Sequence, residues 1–244
     1  MLEPYRATSF DVSYEKYFSP TTAISVAVFH KELSDWVETV DRGVDITSQL
    51  NAVGIADLDA FIAANPGVEI ARSSFPENFS EGSITGIEAT LRWSLDDILP
   101  PAFEGFGFNA SYTYADNELT DQNGGSITIP GYSDTVWSSD LYYENHGWRA
   151  RVSARYRAEF LSEVPQFDGS LTGAQALDET IVDLQVGYEW DNGPLEGFGV
   201  NFEVFNLTDE PFVTENETVR SGVVFPSRHE LYGTTYNITV TKKF

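Results

Sequence analysis

Residues 147–160 read GWRARVSARYRAEF. In an extended chain Trp148, Ala150, Val152, Ala154, Tyr156, Ala158 and Phe160 fall on one side, and Arg149, Arg151, Ser153, Arg155, Arg157 and Glu159 on the other. A helix would scatter both sets around its circumference; only a strand separates them. The run outlasts the roughly five or six residues of an ordinary globular strand. A chain built from such runs folds as long, two-faced β-sheet.

The pattern recurs. Phe10, Val12 and Tyr14 alternate with Ser9, Asp11, Ser13 and Glu15, and Ile24, Val26 and Val28 mark a second segment. Ile87, Ala89, Leu91 and Trp93 form a third apolar row, and Phe106, Phe108, Ala110, Tyr112 and Tyr114 a fourth. Segments 137–143, 148–160, 182–190, 198–204 and 236–244 complete about nine predicted strands. Connections alternate in length: short near residue 20, at 96–105, at 144–147 and at 191–197, and long at 40–83, 116–135, 162–178 and 208–229. Long loops at one end and short turns at the other are the signature of a transmembrane β-barrel. A secreted, soluble β-sandwich that binds glycans shows the same alternation, because one face of each of its sheets packs inward. Length and aromatic placement favour the membrane reading. Bilayer-crossing strands need about 9–11 residues. Tyr112, Tyr114, Trp148, Tyr156, Phe160, Tyr188, Trp190 and Phe198 lie toward strand ends, where aromatic girdles meet headgroups. Lys16 and Lys242 share the apolar face but near strand ends, where their stems can snorkel.

With 14 basic against 38 acidic residues and a formal charge of -24, the chain repels phosphate backbones, which argues against nucleic acid. Without cysteine it has no disulfide framework, thiolate metal site or cysteine nucleophile. His30, His146 and His229 lack metal-ligand spacing, and the acid-rich stretch 115–125 departs from the calcium-loop pattern. No nucleophile elbow, phosphate loop or dinucleotide fingerprint occurs, and the carboxylate pairs Asp96–Asp97 and Asp209–Glu210 lie at turns. No enzyme and no cofactor is expected.

The stretches FEVFNLTDEPFV (202–213) and YGTTYNITVTKKF (232–244) carry an Asn-Leu-Thr-Asp turn and an amphipathic strand ending on an aromatic. Both resemble the C-terminus of TonB-dependent outer-membrane receptors, and YRATSFDVSYEKYFSPTTAISVAVFHKELSDWV (5–37) resembles a strand pair of the same family. The resemblance implies an all-β, antiparallel, up-and-down transmembrane β-barrel. About nine C-terminal strands of a 22-stranded barrel are expected here, with long extracellular loops and short periplasmic turns. Residues 1–244 are then expected to be a C-terminal barrel segment whose plug domain and signal peptide are absent, and which is not stable alone. The family implies a Gram-negative outer membrane with its lipid and lipopolysaccharide, and the barrel assembly machinery as partner. TonB would be engaged only through the missing N-terminal plug region. The cargo would be a large scarce solute, with an oligosaccharide favoured slightly over a ferric siderophore because the opening strand pair looks most like receptors of glycan-using bacteria. A plugless porin is the further alternative.

The family's assembly machinery reads the terminal strand, here Tyr236, Ile238, Val240 and Phe244. Arg149, Arg151, Arg155 and Arg157 are expected to face the lumen. They either pair with acids on adjacent strands (Asp183, Glu189, Asp140) or contact a plug or an anionic solute. Trp36, Phe75, Phe79, Tyr132 and Phe225 are loop aromatics that either stack on ligand or simply pack. Residues 57–64 read as a short helix stopped by Asn65-Pro66-Gly67.

Overall fold

The computed structural model describes residues 2–55, 57–97, 100–120, 125–165, 171–217 and 224–243. The strands are β1 (Arg6–Tyr17), β2 (Ala23–Asp45), β3 (Ile70–Ser94), β4 (Phe106–Thr120), β5 (Ser126–Ile127), β6 (Thr135–Asn145), β7 (Trp148–Arg157), β8 (Phe160–Pro165), β9 (Leu171–Ala176), β10 (Glu179–Glu189), β11 (Phe198–Phe205), β12 (Phe212–Glu217), β13 (Val224–Glu230) and β14 (Thr235–Lys242). Two short helices, α1 (Thr47–Ala52) and α2 (Leu58–Ala64), lie between β2 and β3. The main sheet follows chain order, β1-β2-β3-β4-β6-β7-β10-β11-β14, with β5 beside β4. Its nine-strand path matches the nine runs of alternation.

The chain divides into two compact units, the first comprising Met1–Thr8, Glu32–Gly82 and Leu119–Ile127, the second Ser9–Lys31, Ser83–Glu118 and Thr128–Phe244. In the first unit Asp35 sits in β2 with φ 60, a left-handed conformation that costs any residue but glycine. Asn78 compensates: its side-chain amide donates to the carbonyls of Asp35 (2.6 Å) and Glu3 (2.7 Å), and its side-chain oxygen accepts from Glu3 N–H (2.6 Å). The period-two signal fades after Ser34, and most of residues 40–83 read as loop although β2 runs to Asp45 and β3 begins at Ile70. Helix α2 follows its expectation, with the Asp57 side chain capping Ala60 N–H at 3.0 Å and Gly67 at φ 89 beyond its end. Helix α1 has no such signal; its N-cap position, Ile46, makes no side-chain cap.

In the second unit the short connections are built from turn chemistry. His146 and Gly147, at φ 52 and 78, form the two-residue turn that joins β6 to β7, the left-handed pair a tight antiparallel hairpin requires. The expected thirteen-residue strand ends early, at Arg157. Arg157 is the last partner of both neighbours, facing Val136 in β6 and Glu179 in β10. Beyond it Ala158 N–H reaches only the Thr135 carbonyl, at 2.9 Å. Alternation shows which face a residue takes, not where its partners stop. The chain then enters a second sheet, ordered β13-β12-β9-β8. The long connections at 162–178 and 208–229 thus hold strands where loops were expected.

Register places the apolar residues of the main sheet in layers. Near the short turns, Phe106 meets Tyr143 (4.8 Å between ring centroids), Trp148 meets Tyr188 (4.8 Å), and Tyr188 meets Trp190 edge-on (4.9 Å). Near the long connections Trp137 stacks on Tyr156 at 5.7 Å. Between these bands lie Leu141, Val152 and Leu184, paired in one row. Trp148 and Tyr156 are separated by about 27 Å of strand at about 3.4 Å per residue. Tilted by about 35–45°, that spans about 19–22 Å, near the ~25 Å apolar band of outer-membrane barrels. Val152 is 45% exposed and Ile238 69% exposed, so this face is uncovered by protein.

With that face against lipid tails, Val152→Arg costs about 2–4 kcal/mol of folding free energy in vesicles. Thr239→Arg, on the opposite face, changes it by less than about 0.5 kcal/mol. Urea titrations of both variants in lipid vesicles check the contrast; equal costs would place the faces wrongly.

Candidate functional site

Cross-strand register assigns the polar face of the second unit residue by residue. Asn109, Asp140, Ser153 and Asp183 form one row, and Tyr142, Arg151, Gln185, Glu203 and Asn237 another. The four arginines of β7 stand on this face, each with a partner. Arg149 pairs with Glu189 at 2.9 Å, Arg155 with Asp183 at 2.9 Å, and Arg151 with Glu144 at 3.8 Å. Arg157 donates to Ser133 Oγ (2.8 Å) and the Gly131 carbonyl (2.7 Å), and its guanidinium lies 3.7 Å from the centroid of Phe160. Two expected acids, Asp183 and Glu189, take arginines. Asp140 instead accepts the Ser153 hydroxyl, and Glu144, absent from the expectation, takes Arg151. Period two gives the face of a residue but not its diagonal neighbour, so this choice is illegible without register.

Glycines shape the face. Tyr142 leans over Gly107, where an added Cβ would fall 2.0 Å from its ring. Gly187 and Gly199 leave the face of β10 and β11 bare beside Glu189, with an added Cβ meeting Asn201 Oδ1 at 2.8 Å and Thr241 Oγ1 at 2.7 Å respectively. Across that gap Lys243 reaches from the C-terminal strand to Glu189, which also holds Arg149. The resulting cavity, about 570 Å³, is lined by Gln185, Glu203, Asn201, Thr239 and Thr241 besides these ions.

At the opposite end the Asn-Leu-Thr-Asp turn is a hydrogen-bond hub. Asn206, at φ 54, exchanges bonds with Glu210: its side-chain oxygen accepts Glu210 N–H (2.8 Å) and its amide donates to the Glu210 carbonyl (3.0 Å). Its own N–H donates to Asp183 Oδ1 at 2.9 Å, and its carbonyl accepts the Thr234 hydroxyl at 2.9 Å. Asp183, its side chain 21% exposed, thus binds Arg155 through one oxygen and the turn through the other. A second cavity, about 480 Å³, opens beside this hub. Its lining includes Ile181, Phe205, Phe212, Glu179, Glu210 and the trio Arg228, Glu230 and Tyr232. The Tyr232 hydroxyl and the Arg228 guanidinium hold the Glu230 carboxyl below the usual carboxylate range, and the same bond to Glu230 raises the Tyr232 hydroxyl. Sequence reasoning reads Asn206 as a turn residue but misses the cavity, whose walls come from strands β10 to β13 and the segment entering β14.

The aromatic candidates do not gather. Trp36 is in β2 and packs on Tyr5 (5.8 Å between centroids), and Phe75 is in β3 and exposed. Phe79 and Phe225 belong to β3 and β13 rather than loops, and their side chains lie outside the described residues. Tyr132 alone occupies a turn, the one that Arg157 ties down through Gly131 and Ser133. Burial, with the Glu88 carboxylate, pushes its hydroxyl up. In β14, Tyr236, Ile238 and Val240 share the apolar face, with Tyr236 stacked on Phe202 at 6.3 Å. Phe244 lies outside the described residues.

Among the described residues no group of histidines and carboxylates could hold a metal ion. No helix is long and apolar enough to cross a membrane, which says nothing of crossing by strands.

A family model for the TonB dependent receptor-like β-barrel matches residues 1–207. Among solved structures, the ferric-catecholate import receptor Fiu of Escherichia coli K12 aligns with 100% of this chain and 28% of its own, at 15% identity and a TM-score of 0.60. FpvA of Pseudomonas aeruginosa, solved with a ferric heterologous pyoverdine, aligns with 87% of this chain and 24% of its own, at 17% identity and 0.55. The E. coli outer membrane transporter YddB aligns with 100% and 33%, at 8% identity and 0.56. The chain therefore spans between a quarter and a third of these proteins, and at such identities the likeness shows the fold alone. No curated protein sequence matches it.

Removing the Asp183 side chain in Asp183→Ala leaves the Arg155 guanidinium and the Asn206 N–H without their acceptor, at a cost of about 1–3 kcal/mol. Ser153→Ala, which removes one hydroxyl from the same row, costs about 1 kcal/mol or less. Denaturant unfolding of both variants tests whether Asp183 is the node of this face.

Proposed function

The chain belongs to the TonB-dependent receptor-like β-barrel family, and from that premise we propose that it forms part of the wall of an outer-membrane importer of neutral oligosaccharides. The family itself supports TonB-dependent uptake across a Gram-negative outer membrane. In that reading the apolar face meets lipid, the polar face lines the solute's route, and the strands and helices of the long connections stand on the external side. TonB would act through a plug domain inside the barrel. The reading gives the chain no chemical step.

The observation that carries the cargo class is the distribution of charge. Residues 32–82, 115–135, 158–180 and 206–234 hold 24 of the 38 acids but only four of the 14 basic residues. The external side would therefore present a strong negative field, which lowers the local concentration of anions and leaves neutral solutes unaffected. The four arginines that could have offset it are engaged with Glu189, Glu144, Asp183 and the Gly131–Ser133 turn. A ferric siderophore carrying net negative charge would meet repulsion on entry, and the four guanidiniums of β7 behind it already hold partners.

Whole cells bearing the complete receptor are expected to accumulate a labelled neutral oligosaccharide, to stop when a protonophore collapses the proton-motive force, and to keep the same rate when ionic strength is raised. Accumulation of an anionic ferric chelate in place of the sugar would overturn the cargo assignment. Accumulation that ignores the protonophore would overturn TonB-driven uptake and favour a pore.

A further inference from the structure

We propose that the cavity beside the Asn206 turn is a subsite that holds one pyranose ring of the solute, the ring's C–H face on Phe205 and Phe212 and its hydroxyls on Glu210. This inference rests on the neutral-oligosaccharide reading and assigns it a place. The volume of about 480 Å³ falls within the range of small-molecule sites. Ile181, Phe205 and Phe212 give the lining an apolar part, so the occupant needs an apolar face. The rim is charged but spoken for. Arg155 is bound to Asp183, and Arg228 to Glu230, whose other oxygen accepts the Tyr232 hydroxyl. With both guanidiniums neutralised, the remaining carboxylates, Glu179 and Glu210, make the cavity net negative. Anionic ligands are repelled, and the ligand must bring donors, because carboxylates only accept.

Hydroxyl groups arrayed around a ring with a C–H face satisfy both demands. The acceptors are also held in place. Glu210 is fixed through its backbone by the reciprocal pair with Asn206, and its side chain accepts Thr180 N–H at 3.4 Å. A preformed rim spares the ordering cost that a mobile loop would add on binding. The turn motif near the C-terminus would then have a second role besides ending β11: it presents Glu210 to the solute.

The test is equilibrium binding of cellobiose and maltose, and of the corresponding aldobiuronic acids, to outer-membrane vesicles bearing the complete receptor. Glu210→Gln keeps the side-chain shape and removes the charge; Phe212→Ala removes one apolar wall; Leu195→Ala, in the turn between β10 and β11, is the control outside the cavity lining. At least one neutral disaccharide is expected to bind more tightly than its uronate. Its affinity should fall about tenfold in Glu210→Gln and in Phe212→Ala, equivalent to about 1.4 kcal/mol each, and stay unchanged in Leu195→Ala. Disaccharide binding that is indifferent to Glu210→Gln, in a variant that still reaches the membrane folded, overturns the subsite and leaves the cargo class standing. Failure of any neutral disaccharide to bind the wild-type receptor, or a uronate binding more tightly, overturns the subsite together with the cargo class.

Discussion

A backbone that crosses hydrocarbon has no water to satisfy its N–H and C=O groups, so every strand must find them partners in its neighbours. Between β1 and β14 the ladder meets that demand strand by strand in chain order, and the outward edges of those two strands are where it ends. It also fixes everything else about the main sheet. With pairing continuous, side chains can only alternate between two faces. One then carries Leu141, Val152 and Leu184 between aromatic bands, and the other Asp140, Ser153 and Asp183. The division into lipid-compatible and solute-compatible surfaces follows from the hydrogen bonds.

The strand path was legible because β7, β14 and the Phe106–Tyr114 part of β4 keep an unbroken two-residue period, which nothing but an extended chain explains. Legibility failed where the side chains depart from that period or where order depends on distant partners. Residues beyond Ser34 in β2 and before Ile84 in β3 carry too few apolar side chains to keep the period, which hid the continuation of two long strands. The second sheet escaped because β8, β9, β12 and β13 are six or seven residues long and come from connections separated by β10 and β11. Such short pieces carry little periodicity, and only their mutual pairing makes them strands. The arginine row was visible as a row, yet its choice of partners was not: of the two acids diagonal to Arg151 it takes Glu144, while Asp140 accepts the Ser153 hydroxyl.

The candidate cavity illustrates the same limit. Its residues are spread from Arg155 to Tyr232, and none forms a motif with its sequence neighbours except the Asn206–Glu210 turn. That turn could be recognised as a C-terminal family feature without revealing that its hydrogen bonds orient a carboxylate. What converts it into a site is the convergence of β10, β11 and β12 with the segment before β14. Charge behaves in the same way at lower resolution. Composition alone showed an acidic chain, but assigning the acids to the long connections required knowing which segments are connections.

The bare lane made by Gly187 and Gly199 has a bearing on how the sheet is put together. A strand that slips by two residues keeps its faces and its backbone bonds, so neither alternation nor the ladder detects the error. Lys243 can reach Glu189 over that lane only when Thr241 stands beside Gly199 and the glycines leave the crossing clear. A terminus displaced by two would carry its ammonium past the carboxylate or short of it. The Lys243–Glu189 pair is thus tied to the register of the last strand, which the main chain alone does not fix.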